Sequence, residues 1–200
     1  MLQYAVSNLR NKGLVHLQKV REMKRDDWDA VAAIYRQGIA GSLATFETAC
    51  PPYEKWDAAH LPFGRFVCEN DGKITGWVAL SPTSPRACFS GVAEVSIYIA
   101  EGAKRRGAGT LLLQKVIGAS EQNGVWTLQS SIMRNNEPSL ALHAKCGFRA
   151  IGYREKIARD GRGRWRDTVL MERRSPLPQY GGEYAVAMVG QTVGKPCPTP

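Results

Sequence analysis

Residues 94–110, which read EVSIYIAEGAKRRGAGT, decide the fold of this 200-residue chain. Residues 92–100 are rich in β-branched side chains and predict a buried strand. Residues 107–123 carry apolar side chains at helical spacing on one face, and Gly124 is a natural helix stop. A glycine loop that opens a helix offers free N–H groups and a partial positive charge, which suit a pyrophosphate. The three cations at 104–106 add charge attraction, although a glycine turn with solvated charges is the alternative interpretation.

The segments on either side of this stretch predict a mixed layout of strands and helices. The predicted strands are 15–23, 65–69, 74–80, 92–100, 126–133, 153–157 and 165–171. The predicted helices are 27–40, a short one opened by Pro51-Pro52, 107–123 and 136–146. Asn70-Asp71-Gly72 is a hairpin signal, and residues 81–85 are predicted to be loop. This order predicts an α/β (α+β) fold with a mixed, mostly antiparallel central sheet flanked by helices.

Length and composition predict a single domain with two tails. At 44% hydrophobic and 22% charged residues, the chain has an ordinary globular composition. We expect an N-terminal arm at 1–14, the domain at 15–174, and a flexible Pro/Gly-rich tail at 175–200. The five cysteines are odd in number and form no CxxC pair, which predicts no zinc site and a reducing, cytoplasmic setting. Neither a signal peptide nor a membrane-spanning run is evident.

The net charge of +9 is concentrated in two places. Residues 1–25 carry net +5 and residues 145–174 carry net +6, whereas residues 26–144 carry net −2. A nucleic-acid-binding domain would be expected to present a broader basic face. Charge runs of this kind are usually solvated surface, so no nucleic-acid partner is the favoured prediction. The arginines around Trp165 still leave open a phosphate-binding patch within 145–174.

Several segments together resemble a known family. The stretch at 104–110 resembles the acetyl-coenzyme A motif of GNAT N-acetyltransferases, written R/Q-x-x-G-x-G/A. The helix that starts at Asn136 and ends in Gly147-Phe148 resembles the second cofactor element of that superfamily. Four further segments resemble the branch of phosphinothricin and methionine sulfoximine acetyltransferases: Ile34-Tyr35, 44–48, 93–99 and 165–171. The likeness covers about residues 19–174 and implies the GNAT fold.

The resemblance implies acetyl-coenzyme A as the acetyl donor and no metal. Ile97, Tyr98 and Ile99 would meet its pantetheine arm and thioester through backbone groups. Asn136 would contact the pantetheine, and Lys145 would reach a phosphate. The residues implied to hold the pyrophosphate are Arg105, Arg106, Gly107, Ala108, Gly109 and Thr110.

The resemblance also implies an acceptor site around Glu94, which falls where the branch has its proposed base. A carboxylate can take the proton that an acceptor ammonium must lose before it attacks a thioester. A structural salt bridge is the alternative role for Glu94. Many GNAT enzymes have a tyrosine acid where this chain has His143, which is either an acid or a packing residue. The residues implied to bind the acceptor are Ser84, Pro85, Arg86, Glu94, Val95, Ser96 and, as part of the pocket wall, Phe46.

Two departures from the family pattern concern the cofactor loop and the acceptor pocket. Lys104 replaces the usual Arg or Gln, and lysine lacks the bidentate fork of arginine. Val95 stands where many branch members have histidine, so the acceptor of this chain can differ.

The favoured function is transfer of acetyl from acetyl-coenzyme A to the α-amino group of a small amino-acid-like acceptor, directly within a ternary complex. Phosphinothricin and methionine sulfoximine are the implied acceptors, and the resemblance implies a homodimer. The alternatives are acetylation of a protein N-terminus or lysine, a coenzyme A sensor without catalysis, and a nucleic-acid-binding module. No membrane partner is expected.

Overall fold

The computed structural model describes residues 18–180, and seven of its segments form one sheet. The strands are β1 (Lys19–Glu22), β2 (Phe66–Asn70), β3 (Lys73–Pro82), β4 (Val92–Ile99), β5 (Thr127–Met133), β6 (Arg149–Arg159) and β7 (Trp165–Arg174). Their order across the sheet is β1-β2-β3-β4-β5-β7-β6. Neighbouring strands are antiparallel except for the β4–β5 pair, which is parallel. The predicted mixed, mostly antiparallel sheet is therefore confirmed.

Four α-helices cover the two faces of the sheet. They are α1 (Trp28–Gly41), α2 (Tyr53–Ala59), α3 (Ala108–Gln122) and α4 (Glu137–Lys145). One apolar cluster places Leu112 and Val116 of α3 against Val95 of β4. The other places Val31 of α1 and Trp56 of α2 on the opposite face. Because side chains alternate along a strand, β4 contributes to both cores and presents Glu94, Ser96 and Tyr98 toward the α1–α2 face.

The β4–β5 ladder stops after three residue pairs. Val92, Ala93 and Glu94 pair with Thr127, Leu128 and Gln129, and no pair follows. Meanwhile β3 stays paired with β4 as far as Ile99, and β7 stays paired with β5 as far as Met133. The two central strands therefore diverge beyond Glu94, and the sheet opens into a gap.

The residues at the two ends of α4 form the caps that the sequence predicts. The Asn136 side chain accepts a hydrogen bond from the Ser139 backbone N–H, which caps the helix. At the other end Gly147 has a φ of 87°, a left-handed conformation that favours glycine. Phe148 is then buried against the α3 core.

The ends of β3 and β6 differ from the prediction. β3 continues through Ser81 and Pro82, which pair with Glu94 and Ala93, so the loop begins two residues later than expected. Proline is tolerated there because it is the last residue of the strand. β6 runs over Arg149–Arg159 and is longer than the predicted 153–157, with a register break between Arg154 and Ala158.

The described chain also extends past the predicted domain end at 174. Ser175 is buried, and its hydroxyl donates to Glu121 at 3.0 Å. The Tyr180 hydroxyl donates to the Glu121 carbonyl at 2.9 Å. Residues 175–180, assigned by the sequence to the tail, therefore pack on the domain. The predicted arm at 1–14 and the tail beyond 180 lie outside the described residues. Between residues 18 and 180, no helix has the length and hydropathy needed to cross a membrane.

Candidate active site

A cleft of about 720 Å³ lies where β4 and β5 diverge. β4 and β5 form its floor, α4 from its cap Asn136 to His143 forms one side, and α2 with the 42–52 connection forms the other. The sequence-predicted residues Phe46, Glu94, Ser96, Asn136 and His143 all border it. The cleft therefore brings β4, β5, α2, α4 and the 42–52 connection together around one gap in the sheet.

Glu94 is exposed at the point where the strands separate. Its side chain makes no hydrogen bond or ion pair within residues 18–180, so the structure gives no support to the salt-bridge interpretation. Ser81 lies opposite it on β3, and Ser96 follows it on the same face of β4. A free carboxylate beside a cleft can accept a proton from a bound ammonium, directly or through water.

Tyr98 lies on the cleft face of β4, but its ring is held by packing. The ring stacks on Trp77 with centroids 4.7 Å apart. Gly38 of α1 makes room for it, since a Cβ there would lie 2.6 Å from Tyr98 Cδ1. Burial raises the pKa of the Tyr98 phenol, which therefore stays neutral. Its neighbours Ile97 and Ile99 pack into the α3 core, so this segment can offer the gap its backbone groups.

The glycine loop forms the N-terminus of α3. Gly107 has a φ of 94° and Arg105 a φ of 62°, and left-handed residues in tight turns build anion-binding concavities. The Leu111 N–H is the first in the helix to find a backbone acceptor, the Gly107 carbonyl, at 3.1 Å. The amides of residues 108–110 thus remain available at the positive end of the helix.

The cations of this loop differ in their availability. Lys104 pairs with Glu101 at 2.6 Å, so its charge is already balanced. Arg105 and Arg106 are exposed and have no ion-pair partner within the described chain. Free amides beside two unpaired guanidinium groups fit a pyrophosphate.

Gly109 allows α3 to pack closely against α4. A Cβ at this position would lie 2.8 Å from Leu142 Cδ2 of α4. Lys145 follows Leu142 by three residues, so it lies on the same face of α4 as the contact with α3. The structure therefore brings Lys145 to the side of α4 that meets the glycine loop.

His143 is buried at the side of the cleft. Its Nδ1 lies 2.8 Å from the Ser139 carbonyl oxygen, which can only accept, so Nδ1 carries the hydrogen. Its Nε2 is buried and has no partner among residues 18–180. Burial lowers the pKa of His143, so Nε2 is an unprotonated acceptor at neutral pH. This arrangement, with the ring edge on Phe148, favours packing over proton donation.

Three predicted acceptor residues lie away from the cleft within one chain. Ser84, Pro85 and Arg86 are not among the residues that border it. Arg86 is exposed and lies over the Phe89 ring at 5.6 Å. Val95 borders the cleft, but its side chain is buried in the α3 core.

The structure adds cleft residues that sequence reasoning did not single out. Lys55 and His60 come from the α2 side, and Ser130 and Ser131 come from β5. The three- and four-residue spacing of cleft residues along α2 was the available signal. No group of His, Cys, Asp and Glu side chains between residues 18 and 180 could hold a metal ion.

Comparisons with known proteins agree with this geometry. Residues 18–148 match the Acetyltransferase (GNAT) family. The chain is 35% identical over 163 residues to phosphinothricin N-acetyltransferase of Alcaligenes faecalis, covering 77% of this chain and 81% of that protein. It is 28% identical over 173 residues to the L-methionine sulfoximine/L-methionine sulfone acetyltransferase of Pseudomonas aeruginosa PAO1, covering 83% and 93%.

A solved structure shares the fold as well. The phosphinothricin acetyltransferase of Sinorhizobium meliloti, crystallised in complex with acetyl-coenzyme A, superposes with a TM-score of 0.73. It is 25% identical, and the match covers 80% of this chain and 89% of that one. A sheet that opens between β4 and β5, a glycine loop at the start of α3 and the family match lead to one conclusion. The chain belongs to the GNAT family of acetyltransferases and is an N-acetyltransferase.

Proposed function

We propose that this enzyme transfers an acetyl group from acetyl-coenzyme A to the α-amino group of a small amino-acid-like acceptor. Phosphinothricin, methionine sulfoximine and their analogues are the acceptor class, because the relatives that carry these names cover more than three quarters of the chain. The observation that carries the proposal is the unpartnered carboxylate of Glu94 at the point where the β4–β5 ladder ends.

The donor would lie across the gap between the strands. The amides at the start of α3, with Arg105 and Arg106, suit its pyrophosphate. Lys145 is on the correct face of α4 to meet a further phosphate. Backbone groups of 97–99, which lack a β5 partner, can hydrogen-bond the pantetheine arm. When bound, acetyl-coenzyme A supplies an acetyl carbon activated as a thioester.

The residues of this chain supply the proton chemistry in the proposed ternary complex. Glu94 takes a proton from the acceptor ammonium and frees the nitrogen lone pair for attack. A backbone N–H near Ile97, left unpaired by the gap, stabilises the oxyanion that develops. Collapse of that species breaks the C–S bond and releases the thiolate, and the second proton that the nitrogen loses as the amide forms passes to solvent. No covalent enzyme intermediate is required, because donor and acceptor meet in one cleft.

His143 fits this scheme as a support for the cleft wall. Its hydrogen bond to Ser139 fixes the tautomer, and its lowered pKa keeps it neutral. A neutral imidazole with Nε2 as an acceptor cannot act as the general acid. Protonation of the thiolate is left to solvent.

We propose a homodimer that forms through the edge strand β6. Ten of its eleven residues are exposed, and Tyr153, Ile157 and the adjacent Trp165 are each about half exposed, at 50%, 47% and 53%. Exposed apolar side chains on an edge strand are a template for pairing. A dimer at this edge predicts a sedimentation mass twice that of the 22.0 kDa chain, and Ile157→Lys should shift it to the monomer.

We place the enzyme in the cytoplasm. Cys50, Cys68, Cys88 and Cys146 are all free thiols, which suits a reducing compartment.

The test of the proposed function is thiol release from acetyl-coenzyme A by the full chain. The acceptor panel contains phosphinothricin, methionine sulfoximine, methionine sulfone, common amino acids and a peptide with a free N-terminus. We expect release with the amino-acid analogues. Release with the peptide alone would favour the protein-acetylating alternative, and failure to bind acetyl-coenzyme A in calorimetry would overturn the proposal.

A further inference from the structure

Helix α2 lays one face along the cleft. The residues that border the cleft recur at spacings of three and four, as one helical face requires: Pro52, Lys55, Trp56 and Ala59. His60, directly after the helix, also borders the cleft. Trp56 anchors the helix: it is 2% exposed and packs against Trp77 of the sheet. The position of this face relative to the sheet is therefore fixed by packing.

The C-terminal end of α2 lies close to Glu94. The Leu61 backbone N–H donates to the Leu80 carbonyl on β3 at 2.7 Å. Leu80 pairs with Val95, and the next residue, Ser81, pairs with Glu94. His60, immediately before Leu61, therefore lies beside β3, the strand next to the one that carries Glu94. Lys55 is five residues earlier, about 7.5 Å along the helix axis, and it borders the same cleft as Glu94.

The side chains that border the cleft carry charges of both signs. Glu94 and Glu47 are the carboxylates that border it, and Lys55 is the cation that borders it within residues 18–180. Lys55 is exposed and makes no hydrogen bond or ion pair there, so its ammonium is free to bind a ligand. His60 and His143 do not compete for this role, because burial lowers the pKa of each imidazole.

We propose that Lys55 binds an anionic group of the acceptor and thereby sets the substrate class. This inference rests on the proposed function. The acceptors are amines that carry an acid group a few bonds from the nitrogen. Glu94 binds the ammonium group of the acceptor and Lys55 binds its anionic group. Both ends of a zwitterionic acceptor are therefore held in position. Arg86, the residue that the sequence offered for this role, lies over Phe89 and outside the cleft walls.

The experiment compares two acceptors that differ only in the anionic group, L-methionine sulfone and its α-carboxamide. Thiol release is measured with the wild type, Lys55→Gln and Lys55→Arg. Arg86→Gln tests the competing cation. Lys115→Gln is the matched control, since it removes the same charge from the α3 face of the sheet, where Lys115 lies over Phe66.

We expect Lys55→Gln to raise KM for the sulfone about tenfold or more, the effect of a lost hydrogen bond between charged groups, with kcat largely retained. KM for the carboxamide should change little, Lys55→Arg should retain acid binding, and the acetyl-coenzyme A Kd should stay constant. An unchanged sulfone KM in Lys55→Gln, or the loss appearing in Arg86→Gln instead, would overturn the Lys55 assignment while leaving the proposed function intact. Failure of the wild type to acetylate either compound would overturn both.

Discussion

Asn136 joins α4 to the connection that closes the cleft. Its Nδ2 donates to the Leu43 carbonyl at 2.9 Å, while its Oδ1 accepts from the Ser139 N–H at 3.3 Å. Each end of the amide therefore has one protein partner before any ligand binds. The second N–H of Nδ2 remains for a pantetheine carbonyl, so one side chain would hold both the donor and the 42–52 connection.

Asn136→Asp should separate the two contacts. Aspartate keeps the cap acceptor for Ser139 but has no donor for Leu43. We expect a Tm near that of the wild type, a raised acceptor KM and faster amide exchange across 42–52 by mass spectrometry. Asn136→Ala should lose the cap as well, and about 1 kcal/mol of stability with it. Slow exchange at 42–52 in the aspartate variant would contradict the link.

Glu94→Gln should lower kcat about 10²- to 10⁴-fold, the range for loss of a general base. The acetyl-coenzyme A Kd and the Tm should not change, because the Glu94 side chain is exposed and makes no hydrogen bond or ion pair with other described residues. Glu22→Gln is the control, since Glu22 is also exposed but lies on β1. Full activity in Glu94→Gln would remove this residue from the mechanism.

Gly109→Ala should weaken donor binding and the fold together. The new Cβ would lie 2.8 Å from Leu142 Cδ2, so the leucine side chain or α3 itself must move, at a cost of about 1 kcal/mol. Gly118→Ala on the same helix has open space around it and should instead stabilise the protein slightly. Denaturant unfolding and calorimetric titration of acetyl-coenzyme A measure both effects.

The double variant Gly109→Ala/Leu142→Ala provides the internal check on this clash. Removal of the leucine methyl groups should restore donor affinity. If the double variant binds acetyl-coenzyme A as weakly as Gly109→Ala alone, the glycine is required for ligand approach rather than for packing.

Stability should fall on mild acidification because of the buried histidines. Burial lowers the pKa of His143 and His60 below their ordinary 6.5 in the folded chain. Below pH 6.5 the unfolded chain therefore binds more protons than the folded one, and the free energy of unfolding decreases until the folded pKa is passed. His143→Gln should reduce the fall of the Tm as the pH is lowered from about 6.5 toward the folded pKa of His143. An unchanged slope in that window would contradict the prediction.

The free energy of unfolding should fall again in a second range at lower pH. The Arg21 guanidinium holds the pKa of the Asp27 carboxyl below its ordinary 3.8 through paired hydrogen bonds at 2.7 and 2.9 Å. A lowered carboxyl pKa stabilises the fold above the unfolded value and loses that effect as pH falls through the folded value. Asp27→Asn should therefore reduce the Tm at neutral pH, and the difference from the wild-type Tm should shrink as the pH falls through the folded pKa of Asp27.

The sequence predicted the central layout because that part of the chain has strong periodic signals. β4, the glycine loop and α3 follow one another as expected, and both ends of α4 carry clear cap residues. The pattern was weaker for β6. All of its residues except Ala158 are exposed, so they lack the alternation that reveals a half-buried strand, and only the middle was predicted.

The acceptor side of the cleft was less accessible to prediction. Lys55 and His60 reach the cleft because Leu61 bonds to β3 and Trp56 packs on Trp77, contacts between segments far apart in sequence. Arg86 was expected in the pocket, but β3 continues to Pro82 and the following turn stays on the surface. Local patterns describe single elements, whereas this wall depends on how the elements dock.

The early end of the β4–β5 ladder also determines how such a chain can diverge. Every residue except proline has the same backbone N–H and C=O groups. A binding site formed by backbone groups therefore keeps its hydrogen bonds through most point substitutions. The α2 wall is built from side chains, any of which a single codon change can replace. Acceptor choice is thus free to drift while donor use is retained. A directed-evolution library that seeks a new amine should therefore randomise α2 and leave β4 untouched.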